Sequence, residues 1–147
     1  MLHRTTSRPA SGFSLIEIMV VVVILGILAA IVVPKVMSRP SEARISKVKQ
    51  DIRATEAALQ LYKLDNFRYP TTEQGLEALV IRPDGLPQGA SWKEGGYLDR
   101  VPVDPWGTPY AYLSPGLNSE FDLYTLGADG VKGGNDENAD IGNWQLN

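Results

Sequence analysis

Glu17 is the only charged residue in an apolar run from Phe13 to Val33. About 20 such residues cross a bilayer core, so the run is long enough to span one. An acid inside it costs roughly 2.5–3.5 kcal/mol on insertion scales, which makes the default reading of Glu17 a functional one, with a partner for its charge. Ahead of the run stands a short polar leader with Arg4 and Arg8, ending Gly12-Phe13-Ser14-Leu15-Ile16-Glu17. A cleaved secretory signal has an apolar core of about 7–15 residues and a small-residue cleavage site. Here the run is longer, holds an acid and continues Val32-Val33-Pro34-Lys35. A plain single-pass anchor leaves Glu17 without a reason.

A second group lies near the other end. Leu126–Asp140 combines Asp129, Asp136 and Asp140 with Gly127, Gly130, Gly133 and Gly134. Calcium takes about six to eight oxygens from carboxylates, backbone carbonyls and water, and three carboxylates neutralise the dication. The spacing is not that of an EF-hand loop. A solvated acidic turn fits the same residues. Magnesium fits less well because it requires near-octahedral geometry. A phosphate loop is a weak match, since Lys132 is not followed by Ser or Thr and no helix pattern comes after it.

The remaining composition narrows the chemistry. The 147-residue chain has no cysteine, which removes disulfides, thiol nucleophiles and cysteine-ligated zinc. Its only histidine, His3, lies in the leader, so the chain beyond Gly12 has no histidine for acid–base, triad or metal chemistry. Asp104, between Val103 and Pro105, reads as a turn residue. An enzyme is not expected. The net charge of −3 is uneven: Lys35–Arg68 holds eight bases against four acids, whereas Val101–Asn147 holds one base against seven acids. Such a pair of regions suits head-to-tail contacts between copies and equally suits two solvated faces. No aromatics interleave with the bases, so nucleic acid is disfavoured. Arg4 and Arg8 favour a cytoplasmic leader, but Lys35 and Arg39 flank the far end and almost balance them.

These groups need elements to hold them. After Pro34, Ile45, Val48, Ile52, Thr55, Leu59 and Tyr62 recur at helical spacing, with Arg44, Lys47, Lys49 and Arg53 on other faces. The apolar run and this amphipathic helix over 35–64 can form one rod of roughly 75–80 Å, weakened at Gly26 and Pro34. Gly26–Pro34 is therefore the stretch of the rod most ready to melt. Asn66–Pro70 ends the rod. Thr71 with Gln74 forms a capping-box pattern that predicts a short helix to Ile81. Arg82–Gly96 reads as an irregular loop pinned by Trp92. Strands are expected at Tyr110–Leu113, at Phe121–Leu126 and at Ile141–Leu146, the last carrying Trp144. The fold class is α+β: a long helix on a small antiparallel sheet.

The Gly12–Glu17 stretch, leading into an apolar helix, resembles the processing motif of the type IV pilin-like superfamily. The stretches Tyr69–Leu76, Asp104–Tyr110, Leu126–Gly130 and Asp140–Trp144 look like those of the major pseudopilins of type II secretion, the general secretion pathway protein G family. The similarity runs from Gly12 nearly to the C-terminus. It implies a pilin-like fold, with residues 1–12 a leader removed by a prepilin peptidase, 13–34 a transmembrane and filament-core helix, and 35–147 a periplasmic domain. It also implies cleavage between Gly12 and Phe13, methylation of Phe13, and neutralisation of a neighbour's Phe13 amine by Glu17 during polymerisation. Implied partners are further copies of the chain, minor pseudopilins and an inner-membrane assembly platform. The resemblance makes calcium the expected cofactor, carried by the Asp129, Asp136 and Asp140 side chains and the Leu126 carbonyl, with a further carbonyl at Val131 or Lys132. The choice among Asn135, Asp136 and Glu137 stays open, because this loop varies between relatives. Calcium would take the place of the C-terminal disulfide that type IV pilins usually have. The alternatives are a type IV pilin, disfavoured by the absence of cysteine, and a membrane-anchored calcium-binding domain.

Overall fold

The computed structural model describes residues 12–146, and the side chains of 32–39 fall outside that description. The leader up to Ser11 is therefore not described. A long helix, α1, runs Leu15–Asn66. The chain divides into two units, Met1–Arg39 and Pro40–Asn147, so α1 contributes to both. The division falls at a residue with no N–H to give the helix ladder. Gly26, Pro34 and Pro40 all lie within the helical span.

In the first unit every described residue from Gly12 to Ile31 is exposed, including Phe13, Ile16, Leu25 and Leu28. The helix there is apolar on all sides, the pattern of a segment that buries itself in lipid or among other helices. Among the described residues no helix is long and apolar enough to cross a membrane. The described side chains of the run stop at Ile31, whereas the apolar sequence continues to Val33.

In the second unit α1 has one buried stripe. Val48, Ile52, Thr55, Leu59 and Tyr62 are buried and Ile45 is half-buried, as the helical spacing predicts. The Thr55 hydroxyl donates back to the Asp51 carbonyl at 2.7 Å, so this polar residue sits in the stripe without an unmet donor. Asn66 closes the helix by donating its amide to the Tyr62 carbonyl at 2.9 Å. The stripe packs with Leu76, Leu79, Tyr110, Tyr112, Phe121, Leu123 and Ile141 into the core of this unit.

The capping box over Thr71 and Gln74 is made in both directions: Thr71 N–H donates to Gln74 Oε1 at 3.0 Å and Gln74 N–H to Thr71 Oγ1 at 3.2 Å. The α-helix expected to Ile81 does not form. Gly75 has φ 60°, outside helical space, so the chain makes turns and then only a 3-10 segment over Leu76–Leu79. Trp92 does pin the loop after it, donating Nε1–H to the Ala78 carbonyl at 3.0 Å.

Three antiparallel strands make the sheet: β1 Ala111–Leu113, β2 Asp122–Thr125 and β3 Ile141–Gly142, in the order β1-β2-β3. Tyr112 faces Leu123 across β1–β2, and Tyr124 faces Gly142 across β2–β3. The last strand is shorter than expected, and Trp144 sits on a 3-10 turn, Asn143–Gln145, instead of a strand. Asn143 explains the change. Its side-chain Oδ1 accepts Leu123 N–H at 2.9 Å and its Nδ2 donates to the Phe121 carbonyl at 3.1 Å. A side-chain amide thus pairs with β2 where a strand backbone would have done so, and the main chain is released to turn.

Candidate assembly and metal-binding sites

The N-terminal candidates stand at the start of α1. Phe13 and Ser14 precede the helix, and the Ser14 carbonyl accepts the Glu17 and Ile18 N–H groups at 3.1 and 3.3 Å. Glu17 therefore lies in the first turn, where the helix dipole favours a negative charge. Its side chain is exposed, as is Phe13 four residues earlier. Within one chain, then, Glu17 has no bonded cation among the described residues. A carboxylate at the helix entrance, ringed by exposed apolar side chains, can take a cation from another molecule entering the same greasy environment.

The acidic loop begins as β2 ends. Asp129 Oδ1 accepts Val131 N–H at 3.0 Å, turning the chain on itself. Asp136 opens a 3-10 turn, Asp136–Asn138, with φ 54°. The Glu137 carbonyl accepts Ala128 N–H at 2.8 Å, joining the two arms of the loop. Asp140 Oδ2 accepts Gly133 N–H at 3.0 Å, while Asp140 Oδ1 is buried with no hydrogen-bond partner. Leu126 lines a hollow of about 270 Å³ with Lys132, Asp140, Asp122, Tyr124 and Trp144. Val131 is exposed.

Asp129, Asp136 and Asp140 thus belong to one loop, but no group of three or more acidic or histidine side chains stands together among the described residues. A carboxylate oxygen buried without a donor is costly unless a positive charge or a proton meets it. Asp140 Oδ1 is such an atom.

Of two further anchors, Asp122 was not legible in the sequence and Asp104 was. Asp122 is buried, and its carboxylate accepts N–H groups from Leu117, Asn118 and Ser119 at 2.8–3.1 Å, together with the Asn118 amide at 3.0 Å. Burial alone would raise its pKa, but those donors outweigh it and hold the carboxyl below its ordinary 3.8. Asp104 is the turn residue expected: Oδ1 accepts Trp106 and Thr108 N–H at 3.0 and 2.8 Å, and Oδ2 accepts the Thr125 hydroxyl at 2.6 Å. The basic and acidic regions also meet within one chain, through Arg44–Glu137 at 2.8 Å and Lys63–Glu120 at 3.0 Å.

Residues 35–144 match the family described as type II secretion system (T2SS), protein G, and residues 7–33 match the prokaryotic N-terminal methylation motif. The chain belongs to the type II secretion system protein G family. It is 66% identical to the type II secretion system core protein G of Pseudomonas aeruginosa, over 93% of this chain and 96% of that one. It is 55% identical to the core protein G of Vibrio cholerae, over 95% and 94% of the two chains. The fold matches the crystal structure of the major pseudopilin from the type 2 secretion system of enterohaemorrhagic Escherichia coli with a TM-score of 0.65 and 46% identity, covering 76% of this chain and 91% of that one. The pilin-like α+β fold and the function of a type II secretion major pseudopilin are thereby shown, a structural subunit that is membrane-associated and periplasmic.

Proposed function

We propose that the chain is cut by a prepilin peptidase between Gly12 and Phe13, methylated on Phe13, and polymerised into a periplasmic filament that drives export of folded proteins across the outer membrane. Before assembly it spans the inner membrane once, with residues 35–147 in the periplasm. Its partners in assembly are further copies of the chain, minor pseudopilins and the inner-membrane assembly platform. The observation that carries this reading is the start of α1: from Leu15 to Ile31 it is exposed and apolar on all sides, with Glu17 its sole charge. Such a segment leaves lipid without loss only for surroundings equally apolar, which a bundle of its own copies provides. There the Glu17 carboxylate meets the Phe13 amine of a neighbour, and the cancelled pair sets the register between subunits.

The second part of the proposal concerns the loop. Calcium held by the Asp129, Asp136 and Asp140 side chains and the Leu126 and Val131 carbonyls would supply charge to the buried Asp140 Oδ1. It would fasten the arms of the loop and so keep Ile141–Gly142 on the sheet in a chain without disulfides.

The test is filament formation by the processed full-length protein, imaged with and without calcium. Wild type with a methylated Phe13 at its N-terminus forms filaments, and chelation lowers both their yield and the unfolding temperature. Glu17→Ala abolishes filaments and leaves that temperature unchanged. Wild-type filament yield from Glu17→Ala would refute the pairing, and indifference to chelator would refute the metal.

A further inference from the structure

The helix α1 is followed by a residue that the backbone there does not favour. Phe67 comes directly after the last helical residue, Asn66, and has φ 63°. That left-handed slot usually takes glycine and sometimes asparagine, because a Cβ there crowds a carbonyl oxygen. Among the described residues the only other non-glycine with positive φ is Asp136, a type whose short polar side chain tolerates it. Burial does not offset the strain at Phe67, since its ring is 68% exposed, and Leu64 three residues earlier is 73% exposed. Within one chain neither backbone nor packing calls for an aromatic here. Strain held in place by its surroundings points to a function. An exposed aromatic on a fixed backbone is the kind of side chain that anchors an interface.

The same unit carries a place for such a ring. An open groove of about 540 Å³ is walled by Ala54 of α1 and by Leu98, Pro102 and Val103, with Asp99 beside them. Phe67 stands roughly 18–30 Å along the helix from the α1 residues of the groove, at 1.5 Å per residue, so the ring cannot enter its own groove. An apolar knob and a hollow at different places on one subunit make a head-to-tail contact, which repeats as an open filament when the rotation does not close. The charges agree. Arg68, next to the knob, donates to the Gly85 carbonyl at 2.8 Å but has no carboxylate partner among the described residues, and Asp99 in the groove is exposed and unpaired among them. We infer that Phe67 and Leu64 of one copy dock into the Ala54–Leu98–Val103 groove of the next, joining the globular units along the proposed filament. The inference rests on the filament reading.

The experiment is sedimentation and imaging of filaments from the processed full-length protein, with the unfolding temperature of the unassembled chain read in detergent. Wild type that forms no filaments sinks the filament reading itself, and this contact with it. With wild-type filaments in hand, Phe67→Gly removes the ring and relieves the left-handed strain. Its unfolding temperature stays at or above that of wild type, while the concentration needed for filaments rises at least about ten-fold. The second measurement uses the absence of native cysteine. Copies carrying Leu64→Cys, mixed with copies carrying Val103→Cys, give a disulfide-linked dimer when their filaments are oxidised. Copies carrying Leu117→Cys, an equally exposed site on another turn, do not link to Val103→Cys. Wild-type filament formation by Phe67→Gly overturns the inference. So does a lowered unfolding temperature in that variant, which would make Phe67 a structural residue. A Leu64–Val103 pair that stays unlinked also overturns it, as does a link from Leu64→Cys to Ile24→Cys in its place, which would seat the knob on a neighbour's apolar helix.

Discussion

Replacing Asn143 with alanine removes the amide that completes the pairing of β2. Leu123 N–H loses its partner at 2.9 Å, while the Phe121 carbonyl loses one donor at 3.1 Å and keeps the Ser119 hydroxyl, in a region where Leu123 and Phe121 are buried. A buried backbone group left unsatisfied costs about 1–3 kcal/mol, so the orphaned Leu123 N–H sets a loss of about 1–3 kcal/mol. That is a large share of the roughly 5–15 kcal/mol by which a domain is stable. Urea denaturation of the full-length chain in detergent, monitored by tryptophan fluorescence, measures it. Asn143→Asp is the informative control, because aspartate accepts the Leu123 N–H but sets an oxygen against the Phe121 carbonyl. It is expected to recover part of the loss only. A loss under about 1 kcal/mol for Asn143→Ala, or full recovery by Asn143→Asp, would show that the amide does not stand in for a strand backbone.

The buried Asp122 carboxyl has its folded pKa below the ordinary 3.8, so its stabilisation is complete above that value and is lost as pH falls through the folded pKa. The stability gap between wild type and Asp122→Asn, read by urea denaturation at successive pH values, is therefore constant at neutral pH and closes on acidification below 3.8; a gap that widens there refutes the assignment. Gly127→Ala should destabilise by about 2–4 kcal/mol, since φ is 73° and a Cβ would stand 2.6 Å from the Glu137 carbonyl oxygen. Thermal unfolding checks it, and the loss should persist in chelator because the clash is with backbone.

Features set by periodicity were legible in the residues alone. Val48, Ile52, Thr55, Leu59 and Tyr62 recur at helical spacing and are buried together, because a half-covered helix must turn one stripe inward. The reciprocal bonds of Thr71 and Gln74 were likewise legible, since they depend on two residues three apart. The 3-10 segment after them was not, because the conformation of Gly75 decides whether the helix continues and a glycine permits either outcome. β3 was overextended for a similar reason: the apolar pattern of Ile141–Leu146 suits a strand, and only the three-dimensional position of Leu123 reveals that the Asn143 side chain takes over the pairing. Asp122 reads in sequence as one more acid, and only the fold of the Ser114–Ser119 turn gathers its donors around it. In the acidic loop the residue types were visible, but the link from Arg44 to Glu137 joins segments that no local pattern connects.

The brevity of β1 and β3 has a consequence for a protein that must live at very high local density. They form the two outer rims of the sheet, and they are three and two residues long. Stitching of copies into amyloid-like ladders needs open runs of about six or seven residues. Rims this short give such growth no template, so crowding along a fibre does not tempt neighbouring domains to fuse edge to edge.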